Sequence, residues 1–327
     1  MPRALLAVLL ALALLTSPPH GDAQPRTKTW RVGFLSGGAR PPDGLPPPVL
    51  RQALHDLGYV EQQNVIYVGG WAEAQQERLP GLAAEVVTAG VDVIVTIGGP
   101  ATTAARQATT SIPIVMSQVG DADSLGLIDS LARPGGNITG VTDQSVELSA
   151  KRMELLKEAA PKAVRVAVLW NADDRGMTLR YQNVEKAAQA LHVTVQPLGV
   201  REPEDFETAF SAMTRERPDA LLLITDALTI RNRKRVLDYA AAHSIPDMYE
   251  HGWLVREGGL VSYGADENDV LRRAAVYVDR ILKGAKPGDL PVEQPTRYYL
   301  LVNRKTAAAV GVTIPQSVLL RADEVIQ

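Results

Sequence analysis

The sequence predicts an α/β fold of two doubly wound, parallel-sheet (Rossmann-like) lobes joined by a hinge. Three observations predict it. Apolar runs of strand length alternate with amphipathic segments of helical period along most of the chain. The alternation occurs twice over, with 61 positions from the first strand to the third in one half (Arg31 to Asp92) and about 55 in the other (Val164 to Asp219). And 327 residues exceed what one small core needs, suiting two domains of roughly 100–200 residues each.

In the first half, residues 31–35 read as a buried strand. A helix follows over 48–57, with Val49, Leu50, Ala53, Leu54 and Leu57 at helical spacing, and Gly58 ends it. Strand 64–68, helix 76–89 and strand 91–97 come next. Helix 100–108 has Pro100 at its first position, where a missing N–H costs nothing, and strand 112–117 closes the unit. The second half repeats the plan with strands 164–170, 193–198 and 220–225 and helices 178–191, 204–215 and 228–243. Strands joined through helices run parallel and bury both faces, which accounts for continuous apolar runs such as Val91-Asp92-Val93-Ile94-Val95-Thr96-Ile97. Strand 258–263, helix 268–282, a turn at 284–288 and an extended segment 297–303 complete the chain. The expected division is a leader at 1–23, an N-terminal lobe at 24–140 with a return of 297–327, and a C-terminal lobe at 141–296. More than one strand between the lobes would restrain them to a hinge motion.

The amino terminus predicts the compartment. Arg3 precedes an unbroken apolar run from Ala4 to Leu15, and Gly21-Asp22-Ala23 places small residues correctly for a cut after Ala23. These are the parts of a cleavable secretory leader. Twelve apolar residues span only about 18 Å as a helix against a hydrocarbon core of about 30 Å, so a membrane anchor fits less well. The absence of cysteine removes disulfides, thiolate catalysis and cysteine zinc sites. With 34 basic and 37 acidic residues and a net charge of −3, no basic excess marks nucleic acid as a partner.

In open parallel sheets, ligands bind beyond the carboxyl ends of the strands. That rule selects the segments 36–40, 98–103, 118–123, 171–176, 226–229 and 249–253, with 142–144 and 263–267 near the hinge. Within Gly98-Gly99-Pro100-Ala101-Thr102-Thr103 the glycines let backbone approach a ligand, and the helix start offers N–H groups to a carboxylate or phosphate. Gly99, Pro100, Ala101 and Thr102 are therefore candidate ligand residues. The same turn also reads as a plain glycine-capped strand-to-helix connection. Acids cluster in the other loops: Asp121, Asp143, Asp226, Glu250 and Asp266 could pair with a ligand ammonium, and each alone also reads as an N-cap or solvated loop residue. Asp226 has the best case, because it follows the most apolar strand of the second half. Trp170, Tyr249, Trp253 and Tyr263 could supply an aromatic wall or simple lobe packing. An anion site on one lobe facing acids on the other suits a zwitterion such as an amino acid.

Enzyme readings fit less well. Of five histidines, His20 lies in the leader, His55, His192 and His243 fall near helix ends, and only His251 lies in a cleft loop. HExxH and GxSxG are absent. Asp121-Ala122-Asp123-Ser124-Leu125-Gly126 starts like a calcium loop but fails at Leu125 and Ala132. No catalytic residue, metal or cofactor is expected.

Several segments together resemble a known family. They are Leu57-Gly58-Tyr59, Asp92-Val93-Ile94-Val95-Thr96, Ala101-Thr102 with Ala104-Ala105, and Ile112-Pro113-Ile114-Val115. Most specific is Arg133-Pro134-Gly135-Gly136-Asn137-Ile138-Thr139-Gly140-Val141. Lys151-Arg152-Met153-Glu154-Leu155-Leu156-Lys157, Ile245-Pro246, Glu257-Gly258-Gly259 and Ile281-Leu282-Lys283-Gly284 extend the likeness over nearly the whole mature chain. In these the sequence resembles the periplasmic substrate-binding proteins of ABC transporters, in the branch that includes tryptophan- and tyrosine-type binding proteins. The resemblance implies a type-1 periplasmic-binding fold, a monomer in the periplasm, and delivery of a small-molecule ligand to a membrane ABC permease without catalysis. It places ligand contacts near Pro100, Ala101, Thr102, Asp121, Thr142, Asp143, Asn171 and Asp226. Two departures stand out: the segment 171–177 lacks an expected proline-containing turn, and the loop 41–48 is unusually rich in proline. A sensor presenting its closed form to a membrane receptor, or a secreted two-domain enzyme, remain the alternatives.

Overall fold

The computed structural model describes residues 28–327, so the apolar leader and its cut after Ala23 lie outside the described residues. The first sheet is built from β1 (Trp30–Ser36), β2 (Val65–Trp71), β3 (Val93–Ile97), β4 (Ile114–Val119) and β5 (Ile138–Thr142). They lie in the order β2-β1-β3-β4-β5, and every pairing is parallel. Helices α1 (Pro48–Asp56), α2 (Leu79–Thr88) and α3 (Gly99–Ala108) make the connections. Because side chains alternate across a strand, the sheet buries two separate cores. Val32, Phe34, Val93, Val95 and Val115 face one way. Leu35, Ile94, Ile114 and Met116 face the other, against Leu79, Ala83 and Val86 of α2 and Ala101, Ala104 and Ala105 of α3.

The second sheet has seven strands, β6 (Arg165–Asn171), β7 (Thr194–Val200), β8 (Ala220–Leu223), β9 (Asp247–Tyr249), β10 (Val261–Ala265), β11 (Tyr298–Asn303) and β12 (Glu324–Ile326). Their order is β12-β11-β10-β9-β8-β6-β7, with β11 antiparallel to β10 and the rest parallel. One face carries α4 (Ser145–Ala159) and α5 (Arg175–Ala190), and the other carries α6 (Asp205–Arg215) and α8 (Arg233–Ala242). The sequence predicts a single helix over 228–243. The chain instead forms α7 (Ala227–Arg231) and α8, broken at Asn232. Short helices α9 (Gly252–Arg256), α11 (Arg304–Ala309) and α12 (Gln316–Leu319) fill the connections.

The expected lobe boundaries need correction near the carboxyl end. Helix α10 (Glu267–Leu282), assigned by sequence to the C-terminal lobe, packs on the first sheet: Val270, Ala274, Tyr277, Val278 and Ile281 join the Val32–Phe34 core beside α1. Tyr59 seals the contact by donating to Asp279 Oδ1 at 2.9 Å. The segment 297–327, expected to return to the first lobe, adds β11 and β12 to the second sheet. The cause is geometric. Only α1 covers that face of the first sheet, so the apolar stripe of α10 finds an open surface there. The chain must then come back, and it re-enters the second sheet antiparallel. It therefore crosses between the lobes three times, after β5, after β10 and after α10.

The motif around Gly140 explains itself structurally. Gly140 has φ +137°, and a Cβ there would lie 2.1 Å from the Met116 carbonyl oxygen, so only glycine lets β5 pair this closely with β4. Asn137 Nδ2 donates to the carbonyls of Ile112 and Thr109 at 2.8 and 3.2 Å and pins the turn before it.

Candidate functional site

The loops at the carboxyl ends of both sheets face one another around a cavity of about 560 Å³. The first sheet contributes Ser36–Ala39 after β1, Glu73 and Ala74 after β2, the Gly98–Ala101 turn after β3, and Gln118 with Gly120 after β4. The second contributes Asp174, Met177 and Arg180 after β6, Thr225 to Ala227 and Ile230 after β8, and His251 after β9. The lobes touch across it. Arg231 donates to the Glu73 carbonyl, Arg175 Nη2 donates to the Ser124 carbonyl at 3.2 Å, and a Cβ added to Gly37 would lie 3.3 Å from that of Ala227.

One wall carries amide donors. Gly98 takes φ +83° and turns β3 directly into α3, so Gly99, Pro100 and Ala101 form both the first turn of the helix and the cavity lining. Thr102 does not share that position. It is fully buried, its hydroxyl bonding to Thr96 Oγ1 at 2.7 Å and donating to the Gly98 carbonyl at 2.9 Å, so it holds the turn from behind.

The facing wall carries acids. Asp226 caps α7, its Oδ1 accepting from the Thr229 amide at 2.9 Å and its Oδ2 from Asn171 Nδ2 at 2.6 Å. Asp174 caps α5 through Oδ1, which accepts from Gly176 and Met177 at 2.8 and 3.3 Å; Oδ2 has no partner among the described residues. Burial pushes the Asp226 carboxyl above its ordinary range despite these bonds. Burial does the same to Asp174, and the neighbouring charge of Asp226 adds to it. Asp174 and Asp226 bring two carboxyl groups to one wall, beside Arg180, which lines the same cavity. Each of them is thus a helix cap and part of the cavity wall at once.

Behind this wall runs a buried ionic chain. Glu250 accepts from Arg152 Nη1 at 2.7 Å and from Arg180 Nη1 at 2.9 Å, and Arg180 Nη2 reaches Asp143 Oδ2 at 3.3 Å. Burial alone would raise the Glu250 pKa, but the two guanidinium groups overcome it and hold it at about 2. Arg180 Nε is buried without a partner among the described residues. Thr225 Oγ1 bonds both Glu250 and His251 Nε2, the latter at 2.9 Å. His251 Nδ1 meets Glu267, and although burial opposes the charge, that carboxylate raises the imidazole pKa.

Of the sequence candidates, the fold brings Gly99, Pro100, Ala101, Asp143 and Asp226 to the cavity. The others stand elsewhere. Asp121 caps a turn by accepting from the Ser124 amide at 3.3 Å. Thr142 is buried at the hinge, and its hydroxyl has no partner among the described residues. Asn171 orients Asp226 and does not line the space. Glu250 is paired with its arginines and lines a small crevice behind the main cavity, the two sharing Gln118, Asp143 and His251. Tyr263 offers only its carbonyl, to Arg152 Nε at 2.7 Å, and its ring packs on Tyr298. The suggested aromatic wall is not in this cavity either: Trp170 stacks on Tyr181, Tyr249 donates to Asp247, and Trp253 stacks on His251. Apolar contact comes instead from Ile97, Met177 and Ile230. Sequence reasoning missed Asp174, Met177 and Arg180. The signal for Arg180 is its place on the apolar stripe Met177, Arg180, Val184, Ala188 of α5.

The chain matches one family model and resembles several known proteins. Residues 49–326 match the family model described as ABC transporter substrate binding protein. A tyrosine-binding protein of Clostridioides difficile (strain R20291) is 28% identical over 259 residues, 79% of this chain and 74% of that protein. Two solved structures align with 91% of this chain and 100% of theirs, both at 26% identity. One, with a TM-score of 0.83, is an ABC domain from Streptococcus pneumonia in complex with L-Trp. The other, with a TM-score of 0.85, is a conserved domain protein from Vibrio cholerae O1 biovar eltor str. N16961.

Proposed function

The chain belongs to the ABC transporter substrate-binding protein family, and from that premise we propose that it captures a small zwitterion outside the cytoplasm and hands it to an ABC permease. The observation that carries this reading is the polarity of the cavity. Amide donors at the start of α3 suit a ligand carboxylate, and the Asp174–Asp226 wall suits an ammonium. Amino acids and their close relatives carry both groups. The named ligands of two relatives, tyrosine and L-Trp, belong to the same class. A leader cut after Ala23 would place the mature chain in the periplasm, where a monomer with the lobe exchange described above would act as a carrier and not as a catalyst.

Isothermal calorimetry on protein stripped of endogenous ligand tests the reading. At least one member of a panel of aromatic and aliphatic amino acids should bind and raise the melting temperature by mass action. Asp226→Asn removes one charge-assisted bond and should weaken that binding by about 10- to 100-fold. A folded protein that gives neither heat nor thermal shift with any of the panel defeats the proposal.

A further inference from the structure

Beside the cleft lies a second cavity of about 520 Å³, floored by Phe34 and Trp71 and walled by the proline-rich loop from Pro41 to Pro48. It shares Ser36, Ala39 and Ile97 with the main cavity, so the two spaces meet over those three side chains. The floor is firm: the Phe34 and Trp71 rings lie 5.8 Å apart, and both residues belong to the core of the first lobe. The wall is held too. Arg51 Nε donates to the Pro46 carbonyl at 3.0 Å, Arg51 Nη2 to Asp43 Oδ2 at 2.9 Å, and the Gly44 amide to the Pro41 carbonyl at 2.9 Å. Proline fixes φ, so such a wall has little freedom left to lose when something packs against it.

Its chemistry is apolar. Among the described residues that line it, Asp43 alone is charged, and Arg51 already occupies that carboxylate. Arg40 lies over the Trp71 ring at 5.5 Å but is not among the lining residues, and methylene or ring carbons are favoured against Leu45, Pro46, Pro47 and Trp71.

Resting on the zwitterion reading above, we infer that this side pocket receives the apolar end of the same ligand. The substrate class is then an amphipathic zwitterion whose apolar part extends past Ser36, Ala39 and Ile97. The head group sits between α3 and the acidic wall. Leu45 becomes a specificity-determining residue, since it lines the side pocket and not the main one.

Calorimetry with straight-chain 2-amino acids of three to ten carbons tests this on the full mature protein. Affinity should climb with length, by up to about fourfold for each methylene that enters the pocket. Leu45→Asp and Leu45→Trp, which charge and fill the pocket respectively, should flatten the climb for the long members and leave the short ones unchanged. Melting temperatures near wild type would show that both variants fold. A flat series in the wild type, with some amino acid still binding, overturns the inference alone. A climb that persists in both variants also overturns it, because the chain must then run elsewhere. Absence of binding by every amino acid overturns the zwitterion reading beneath it.

Discussion

Glu250 shows how much one buried residue can carry here. Two arginines depend on it, and Arg152 and Arg180 are themselves nearly inaccessible. Glu250→Gln would take the shared carboxylate from two guanidinium groups in a dry interior. Arg152 would be left without its hydrogen-bonded counter-charge, and Arg180 with Asp143 and the more distant Asp174 and Asp226. The change should cost about 3–5 kcal/mol in urea unfolding. The pH dependence has a definite sign. A carboxylate held at about 2, below its unfolded value, stabilises the fold fully above the unfolded value and loses that contribution as pH falls towards 2. The difference in stability between wild type and Glu250→Gln should therefore shrink on acidification through that window. A constant difference would mean the charge is not what Glu250 contributes. Legibility at this scale followed location. Gly99, Asp143 and Asp226 sit just past strand ends, where loop position announces them. Arg180 sits inside a helix, and only its place on an otherwise apolar stripe betrays it. Glu250 was legible as a loop acid, but its arginine partners are 70 or more positions away in sequence and no local pattern reveals them.

Most strands and helices of both halves follow from periodicity, because buried parallel strands are continuous apolar runs and their helices have one apolar stripe. The misses have local causes. Helix α4 has small and polar buried residues, Ser145 and Ser149 among them, which blur its apolar face. Asn232 splits 227–242 because its side chain caps back onto the Leu228 carbonyl at 3.0 Å. The glycine-rich turn leads into β5, and the close strand approach at Gly140 explains the glycine there. Gly140→Ala forces a Cβ into the Met116 carbonyl and should destabilise by at least about 1–3 kcal/mol. Gly136→Ala, in the same motif with nothing within 4 Å, should stay within about 0.5 kcal/mol. Equal costs at the two positions in thermal unfolding would refute the account.

The two-lobed plan was legible in the sequence because the duplication is regular. The exchange of α10 and of the strands β11 and β12 was not, since which sheet face lies uncovered is a property of the assembled molecule. Three crossings leave hinge bending as the accessible large motion, and Arg231 and Arg175 make contacts from one lobe to the other at the mouth. Arg231→Ala should shift the ligand-free protein towards open forms. Small-angle scattering should then give a larger radius of gyration than for wild type, and affinity should fall in proportion to the lost closed population. Identical scattering would show that the Arg231–Glu73 contact does not bias closure.

The placement of α10 also has a consequence for how the molecule comes into being. A chain delivered from its amino end presents all five strands of the first sheet long before the helix that covers one of their faces. Until Leu282 emerges, the apolar side of Val32, Phe34, Val93 and Val115 beyond the reach of α1 stays wet. The first core is therefore completed by a helix that follows most of the second sheet in the chain, so neither body is finished before nearly the whole sequence is available.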